Sequence, residues 1–319
     1  MGAPSLIAHG GAGGRAPLAE RPARRRGLLA AVARGAEVLR NGGAALDAVI
    51  ATVVALEDDP LFNAGYGSVL TTEGRVEMDA AVMVADRKSA GVTAPGGSPE
   101  TGTHLLRAGG VVLVSRVRNP ILAARAVMDR TPHVLLGGVA AERLARKAGL
   151  RMCRPEQLIS QRARERWLAL MEARRAAAIA DGHGTVGAVA VDAHGCLAAA
   201  TSTGGVAGKM PGRIGDSAII GAGLFANALG AASATGAGEA IMKVALCREA
   251  VVALGRGRPD DAARRAISAM YTQTRGEAGI VLVDAHGRFG YAHNAHAMEI
   301  AMFDTLGVRY LLADPLPRR

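Results

Sequence analysis

Residues 186–191, Val-Gly-Ala-Val-Ala-Val, make an apolar, β-prone run entered through Gly184-Thr185. A short run of this kind reads as a buried strand. Thr185 stands at its threshold, and Gly184 before it has no side chain to obstruct attack on its carbonyl. If the Gly184–Thr185 bond is cut, Thr185 becomes N-terminal. It then carries a hydroxyl nucleophile and an amine base on one residue, a recognised variant of the nucleophile-plus-base arrangement. A free α-amine has a pKa of about 7.7–8.0, so it is partly neutral near pH 7 and can accept a proton. Taken alone, the same residues are better described as a buried strand threonine after a turn glycine.

Composition narrows the alternatives. Half of the 319 residues are hydrophobic but only 3% are aromatic, so the core must be built from Ala, Val, Leu, Ile and Met. The formal net charge of +10 raises nucleic acid as a partner. Of the 38 basic residues only Lys88, Lys147, Lys209 and Lys243 are lysines, and the arginines are spread along the chain with one tight cluster, Arg24-Arg25-Arg26. That distribution, without aromatic platforms, reads as solvated helix faces rather than a nucleic-acid footprint. Cys153, Cys196 and Cys247 are odd in number and far apart, so neither a zinc knuckle nor a disulfide framework is indicated, and reduced thiols in a cytoplasm are the expectation. Met1 to Gly14 lacks the pattern of a secretory signal. No stretch approaches 18 uninterrupted strongly apolar residues, so no membrane span is expected.

Along the chain, Leu6 to His9 reads as a buried strand ending in the glycine run Gly10 to Gly14. Helices are expected over Arg24–Arg40 and Ala44–Leu56, a loop over Leu61–Gly67, and strands over Ser68–Thr71 and Glu77–Ala85. A turn-rich segment follows, with extra residues around 92 to 110 that read as a surface insertion or a loop shaping the substrate mouth. Then come a strand Val111–Val117, helices Ile121–Met128 and Ala140–Ala148, and a polar stretch Gln157–Ile179. Val186–Val191 and Leu197–Thr201 read as two strands, Gly238–Leu254 and Asp260–Met270 as helices, and Gly279–Asp284 with Phe289–Ala292 as a hairpin. Helices before and after two groups of strands fit a layered α/β structure.

Several blocks occur in a fixed order: His9-Gly10-Gly11-Ala12-Gly13, Leu61-Phe62-Asn63-Ala64-Gly65, Met78-Asp79-Ala80-Ala81-Val82-Met83, Asn119-Pro120, Gly184-Thr185-Val186-Gly187-Ala188, Thr201-Ser202-Thr203-Gly204-Gly205, Gly212-Arg213-Ile214-Gly215-Asp216, and Thr235-Gly236-Ala237-Gly238-Glu239. On these, the chain resembles the plant-type asparaginase and isoaspartyl peptidase family of N-terminal nucleophile hydrolases. The resemblance covers nearly the whole chain.

The resemblance implies a four-layer αββα sandwich, cut autocatalytically into residues 1–184 and 185–319. It implies Thr185 as nucleophile, Thr203 bonded to it, Thr235 beside the oxyanion donors and Asn63 supporting the same site. Asn63 also reads as an ordinary turn residue. Arg213 and Asp216 are implied to hold the α-carboxylate and α-amine of an aspartyl group, which suits a planar guanidinium fork and an anionic acceptor. An ion pair at the surface explains that pair equally well. Gly236 and Gly238 let the backbone approach the ligand. The segment Leu56-Glu57-Asp58-Asp59-Pro60-Leu61-Phe62-Asn63-Ala64-Gly65-Tyr66 resembles the family's sodium loop. It carries over a structural sodium ion, with no catalytic cofactor, onto Leu56, Glu57, Asp59, Phe62, Ala64 and Tyr66. His293-Asn294-Ala295-His296 departs from the family pattern and reads as either a substrate-mouth segment or a solvent-facing loop.

The implied activity is hydrolysis of β-aspartyl dipeptides and L-asparagine through an aspartyl ester of Thr185, in a dimer of αβ pairs. The partner is a small-molecule substrate, with neither nucleic acid nor membrane. Two related readings remain open, a glycosylasparaginase-like hydrolase and a preference for β-aspartyl-arginine. Gly221-Ala222-Gly223 and the glycine-rich start also suggest dinucleotide binding. Gly10 to Gly14, however, lacks the GxGxxG order and the acidic residue that should follow.

Overall fold

The alternation of small and β-branched residues along the strands gives each sheet two apolar faces. The computed structural model describes residues 2–87, 104–175 and 184–317. Its strands are β1 (Ser5–Gly13), β2 (Met78–Arg87), β3 (His104–Val114), β4 (Leu135–Gly137), β5 (Val186–Val191), β6 (Leu197–Thr203), β7 (Leu224–Asn227), β8 (Gly230–Gly236), β9 (Ala278–Asp284), β10 (Phe289–His293), β11 (Ala297–Asp304) and β12 (Gly307–Ala313). Its helices are α1 (Arg21–Arg40), α2 (Ala45–Asp58), α3 (Pro120–Arg130), α4 (Gly138–Lys147), α5 (Gln161–Arg175), α6 (Gly238–Val244), α7 (Leu246–Ala253) and α8 (Pro259–Thr274). The larger sheet runs β12-β11-β1-β5-β6-β2-β3-β4 and the smaller β10-β9-β8-β7.

Successive side chains on a strand point to opposite faces, and here the two faces enter different cores. Leu6, Ala8, Val82, Ala188 and Ala200 pack outward against Leu28 and Val32 of α1, Val49 and Val53 of α2, and Ile121 of α3. Ile7, Met83, Val189 and Ala199, one residue on, pack inward against Leu224, Ala231, Val281 and Val283 of the smaller sheet. The far face of that sheet, through Ala232, Ala234, Ile280 and Leu282, meets Ile241, Val251 and Ile267 of α6, α7 and α8. Helix, sheet, sheet, helix is the four-layer αββα sandwich. Among the described residues no helix is long and apolar enough to cross a membrane.

Several local expectations change. β1 continues through the glycine run to Gly13, with a bulge between His9 and Ala12 and Gly11 at φ +114°. Ser68–Thr71 is not a strand: it makes only isolated bridges, Leu70 to Val76 and Thr71 to Lys209. The expected helix 238–254 breaks at Ala245, whose φ of +49° separates α6 from α7. Residues 104–110, expected in an inserted loop, belong to β3, and the rest of that loop lies outside the described residues. The polar stretch 157–179 holds α5 up to Arg175, and its last four residues also lie outside the described residues. α5 is tied to the body by the Trp167 indole N–H, which donates to the Thr71 carbonyl at 2.9 Å, and by buried Ala163 and Leu170.

Candidate active site

The β5–β6 register sets Val186 opposite Ser202, so Thr185 and Thr203 meet one residue further on, where the two strands end. Thr185 is buried, and its hydroxyl donates to Thr203 Oγ1 at 3.2 Å. The Thr203 hydroxyl in turn donates to the Gly184 carbonyl at 3.3 Å and accepts the Gly205 N–H at 2.9 Å. The same Gly184 oxygen accepts Asn63 Nδ2–H at 2.5 Å. Asn63 is itself oriented by the backbone. Its Oδ1 accepts the Val69 N–H at 2.9 Å, which leaves Nδ2 to donate to the Gly184 and Gly205 carbonyls. The Thr185 hydroxyl therefore points at Thr203, and Thr203 and Asn63 both donate to the Gly184 carbonyl oxygen, an arrangement of donors suited to stabilising an oxyanion there. Thr235, in β8, accepts the N–H groups of Thr185 and Ala12, both at 3.2 Å.

Three neighbours escaped the sequence reading of the site. Ser217 Oγ lies 3.3 Å from Thr185 Oγ1; its only sequence signal is adjacency to Asp216. His9 is fully buried with Nε2 2.8 Å from Ser233 Oγ. Burial drives its pKa down to about 3, against a smaller opposing contribution from the Thr185 backbone, so the ring is neutral at pH 7. Gly11 lies so close that a methyl group there would come within 3.1 Å of Gly184 Cα.

Arg213 and Asp216 flank the other side of Thr185. Arg213 forks onto Glu239 with two bonds of 2.9 Å. Asp216 is buried, and its Oδ2 has no hydrogen-bond partner among the described residues. Burial raises its pKa to about 7, opposed by backbone hydrogen bonding and by Arg213. A Cβ at Gly238 would come within 2.7 Å of Asp216 Oδ1 and 2.9 Å of Arg213 Nη2, so a side chain at the start of α6 would displace this pair. Gly236, at φ +136°, lines the same space. In the uncut chain this cavity, bounded by Gly184, Thr185, Thr203, Arg213, Asp216 and Gly236, measures about 10 Å³. That is room for about one water molecule and not for an aspartyl group.

In the loop after α2, the carbonyls of Asp59, Pro60 and Phe62 converge on Gly67. A Cβ there would meet Asp59 O at 3.1 Å, Pro60 O at 3.0 Å and Phe62 O closer still, and Gly65 likewise abuts the Glu57 carbonyl. The side chains point elsewhere. Leu56 and Phe62 enter the outer core with Ala64, and Tyr66 lies under the Arg118 guanidinium at 4.9 Å. The Glu57 carboxyl accepts from Ser202 Oγ at 2.7 Å and the Ile121 N–H at 3.0 Å, and burial lifts its pKa to about 8. Uncharged carbonyl oxygens in a tight turn suit a hard cation. No group of three or more His, Cys, Asp or Glu among the described residues could hold a metal.

Two surface expectations are corrected. Arg24 does not belong to a solvated face: it donates to the Leu61 and Gly10 carbonyls, pairs with Glu299 at 2.7 Å and lies over the Phe62 ring. His293 lies neither in a solvent-facing loop nor at a mouth: it is fully buried, with its ring nitrogens 3.0 Å and 2.8 Å from the Ala295 and Ala313 carbonyls. His296 alone of that pair is exposed.

With this geometry in view, comparison with known proteins is direct. The family model described as Asparaginase matches residues 2–95 and 102–311. An isoaspartyl peptidase/L-asparaginase of Mus musculus is 41% identical over 287 residues, covering 88% of this chain and 82% of its own. Its namesake from Homo sapiens is 40% identical over 289 residues, covering 89% and 88%. A plant-type L-asparaginase of Pyrobaculum calidifontis is 41% identical over 302 residues, covering 92% and 95%. A buried threonine at a strand end in a four-layer sandwich and an almost unbroken match agree: the chain belongs to the asparaginase family of N-terminal nucleophile hydrolases.

Proposed function

We propose that this protein cuts its own Gly184–Thr185 bond and then hydrolyses β-aspartyl dipeptides and L-asparagine. The observation that carries this reading is the Gly184 carbonyl, held by Asn63 and Thr203 with the Thr185 hydroxyl alongside. Thr185 Oγ attacks that carbonyl, its proton passes by way of Thr203 to the Thr185 nitrogen as the bond from that nitrogen to the Gly184 carbonyl carbon breaks, and the Gly184 acyl group is left on the oxygen. Water then hydrolyses the ester. Gly184 leaves with a carboxylate, and the Thr185 amine is free.

The freed amine now serves as base. It takes the Thr185 hydroxyl proton as the oxygen attacks the β-carbonyl of an aspartyl substrate and returns it to the departing amine. Water hydrolyses the aspartyl ester. Arg213 turns from Glu239 to the substrate α-carboxylate, and Asp216 accepts its ammonium. Asp216's unpartnered Oδ2 supports that role. Thr235, Gly236 and Asn63 serve the oxyanion. A sodium ion held by carbonyls of the 56–66 segment stiffens the loop that carries Asn63, a reading supported by the convergence at Gly67. We also place the protein in a cytoplasm, as a dimer of αβ pairs; among the described residues no disulfide joins its cysteines, which suits a reducing compartment.

The test is intact mass of the purified protein over several days, beside Thr185→Ala. Fragments 1–184 and 185–319 from the native sequence and one whole chain from the variant are expected, with L-asparagine and β-aspartyl dipeptides hydrolysed only by the cut form. A native chain that stays whole and inactive overturns the reading.

A further inference from the structure

A second, larger cavity adjoins the Arg213–Asp216 pocket at Gly184. It measures about 580 Å³ and is bordered by Gly10–Pro17, Asn63, α1 and α5. Gly184 lines both spaces. Removing Gly184 from Thr185 therefore joins them into one cleft with the nucleophile at the junction. An aspartyl group seated at Arg213 and Asp216 directs whatever is attached to its β-carbonyl into the larger cavity.

The walls of that cavity are charged, and the charges do not balance. Five arginines face three glutamates. Glu299 is taken by Arg24 at 2.7 Å and Glu20 by Arg162 at 2.9 Å, while Glu165 accepts from Gln161. Arg21 donates to the Ala16 carbonyl. Arg15 and Arg166 have no hydrogen bond or ion pair among the described residues. Arg166 borders the cavity, and desolvation and then the neighbouring Arg162 hold its pKa below the usual arginine range, against an opposing contribution from Glu20, which Arg162 already holds. A guanidinium with no anion bonded to it, beside like charges and a carboxylate already held by another arginine, is a site for a further carboxylate. The wall that carries it stays in place after cleavage at residue 184, because Trp167 and Leu170 anchor α5 to the body.

We propose that this cavity is the leaving-group subsite, and that Arg15 and Arg166 make it select β-aspartyl dipeptides whose second residue is acidic. Every dipeptide brings one carboxylate to the cavity; glutamate or aspartate in the second position brings another, and arginine brings a repelled cation. The inference rests on the hydrolase reading above, and it opposes a preference for β-aspartyl-arginine.

The test compares kcat/KM for β-aspartyl-glutamate and β-aspartyl-arginine, using preparations shown by intact mass to be fully cut. The native protein is expected to favour the acidic dipeptide by about tenfold or more, the scale of one charge-assisted hydrogen bond. Arg166→Glu should reverse the preference, Arg166→Lys should keep it, and Arg15→Ala should weaken it. The exposed position of Arg166 on α5 keeps these variants folded. Equal rates for the two dipeptides, or a ratio that Arg166→Glu leaves unchanged, overturns the subsite while L-asparagine turnover by the native protein upholds the hydrolase. Absence of turnover on all three substrates overturns both.

Discussion

Asp216 concentrates the residue-scale physics of the site. Its carboxyl is buried beside Arg213, and the cost of desolvating the anion outweighs that neighbour, so the proton stays on up to about pH 7. A substrate ammonium needs the ionised form. Below pH 7 a growing fraction of free enzyme carries the wrong protonation state, so kcat/KM for β-aspartyl substrates should fall by up to about tenfold per pH unit. The Thr185 amine titrates nearby and bends the profile the same way, but a substrate without the α-amino group has no use for Asp216. Its pH–rate profile should lose the Asp216 limb and keep the amine limb. Identical profiles for the two substrates would remove Asp216 from ammonium recognition. The same shift acts on stability with a defined sign: the folded state keeps a proton that the unfolded chain loses, so the contribution is full below about pH 4 and is lost as pH rises through about 7.

At the scale of elements, the site depends on strand ends and one bulge. Antiparallel register brings Thr185 to Thr203. The bulge in β1 lets the chain pass under Gly184 with Gly11 at φ +114°, where a side chain is strained. Gly11→Ala should lower stability by about 1–3 kcal/mol from backbone strain. It should also slow self-cleavage, since its methyl group presses on Gly184 Cα from 3.1 Å. Thermal unfolding and a mass time course read the two effects separately, and a variant that melts and cuts like the native protein would show that β1 does not position the bond. These elements were unevenly legible. Val186–Val191 declared itself through an unbroken apolar run, and α1 through its spacing. β8 did not, because a stretch rich in Ala and Gly has little strand propensity and becomes a strand through its pairing with β9, and β7 did not because it is only four residues long. Ala245 hid a helix break, since nothing about an alanine announces a positive φ.

Across the whole molecule, the two prospective chains are interleaved. In the larger sheet, β5 lies between β1 and β6, and β6 pairs with β2, so strands from 1–184 and 185–319 alternate across its centre. Cutting one bond releases no sheet edge and opens no core. The fragments should therefore elute together from a native sizing column, at one size, and separate only in denaturant. Fragments that part under native conditions would contradict this sheet order. With this interleaving, the proposed cleavage would free an amine and join two cavities while the layers around them stay packed.

The chain's own residues determined the chemistry available to it. A glycine before a threonine, two further threonine- and glycine-rich blocks, and an Arg and an Asp three positions apart are side-chain properties that survive without a fold. Only the tertiary structure decided which of them meet and in what state. Ser217 and His9 approach Thr185 through packing between distant segments, Arg213 is engaged by Glu239, and Arg24 is drawn inward by carbonyls it could not have found locally. The shifted proton affinities of Asp216 and His9 likewise belong to the fold, because they come from the loss of water around a charge, and burial is a property of the assembled layers rather than of any segment.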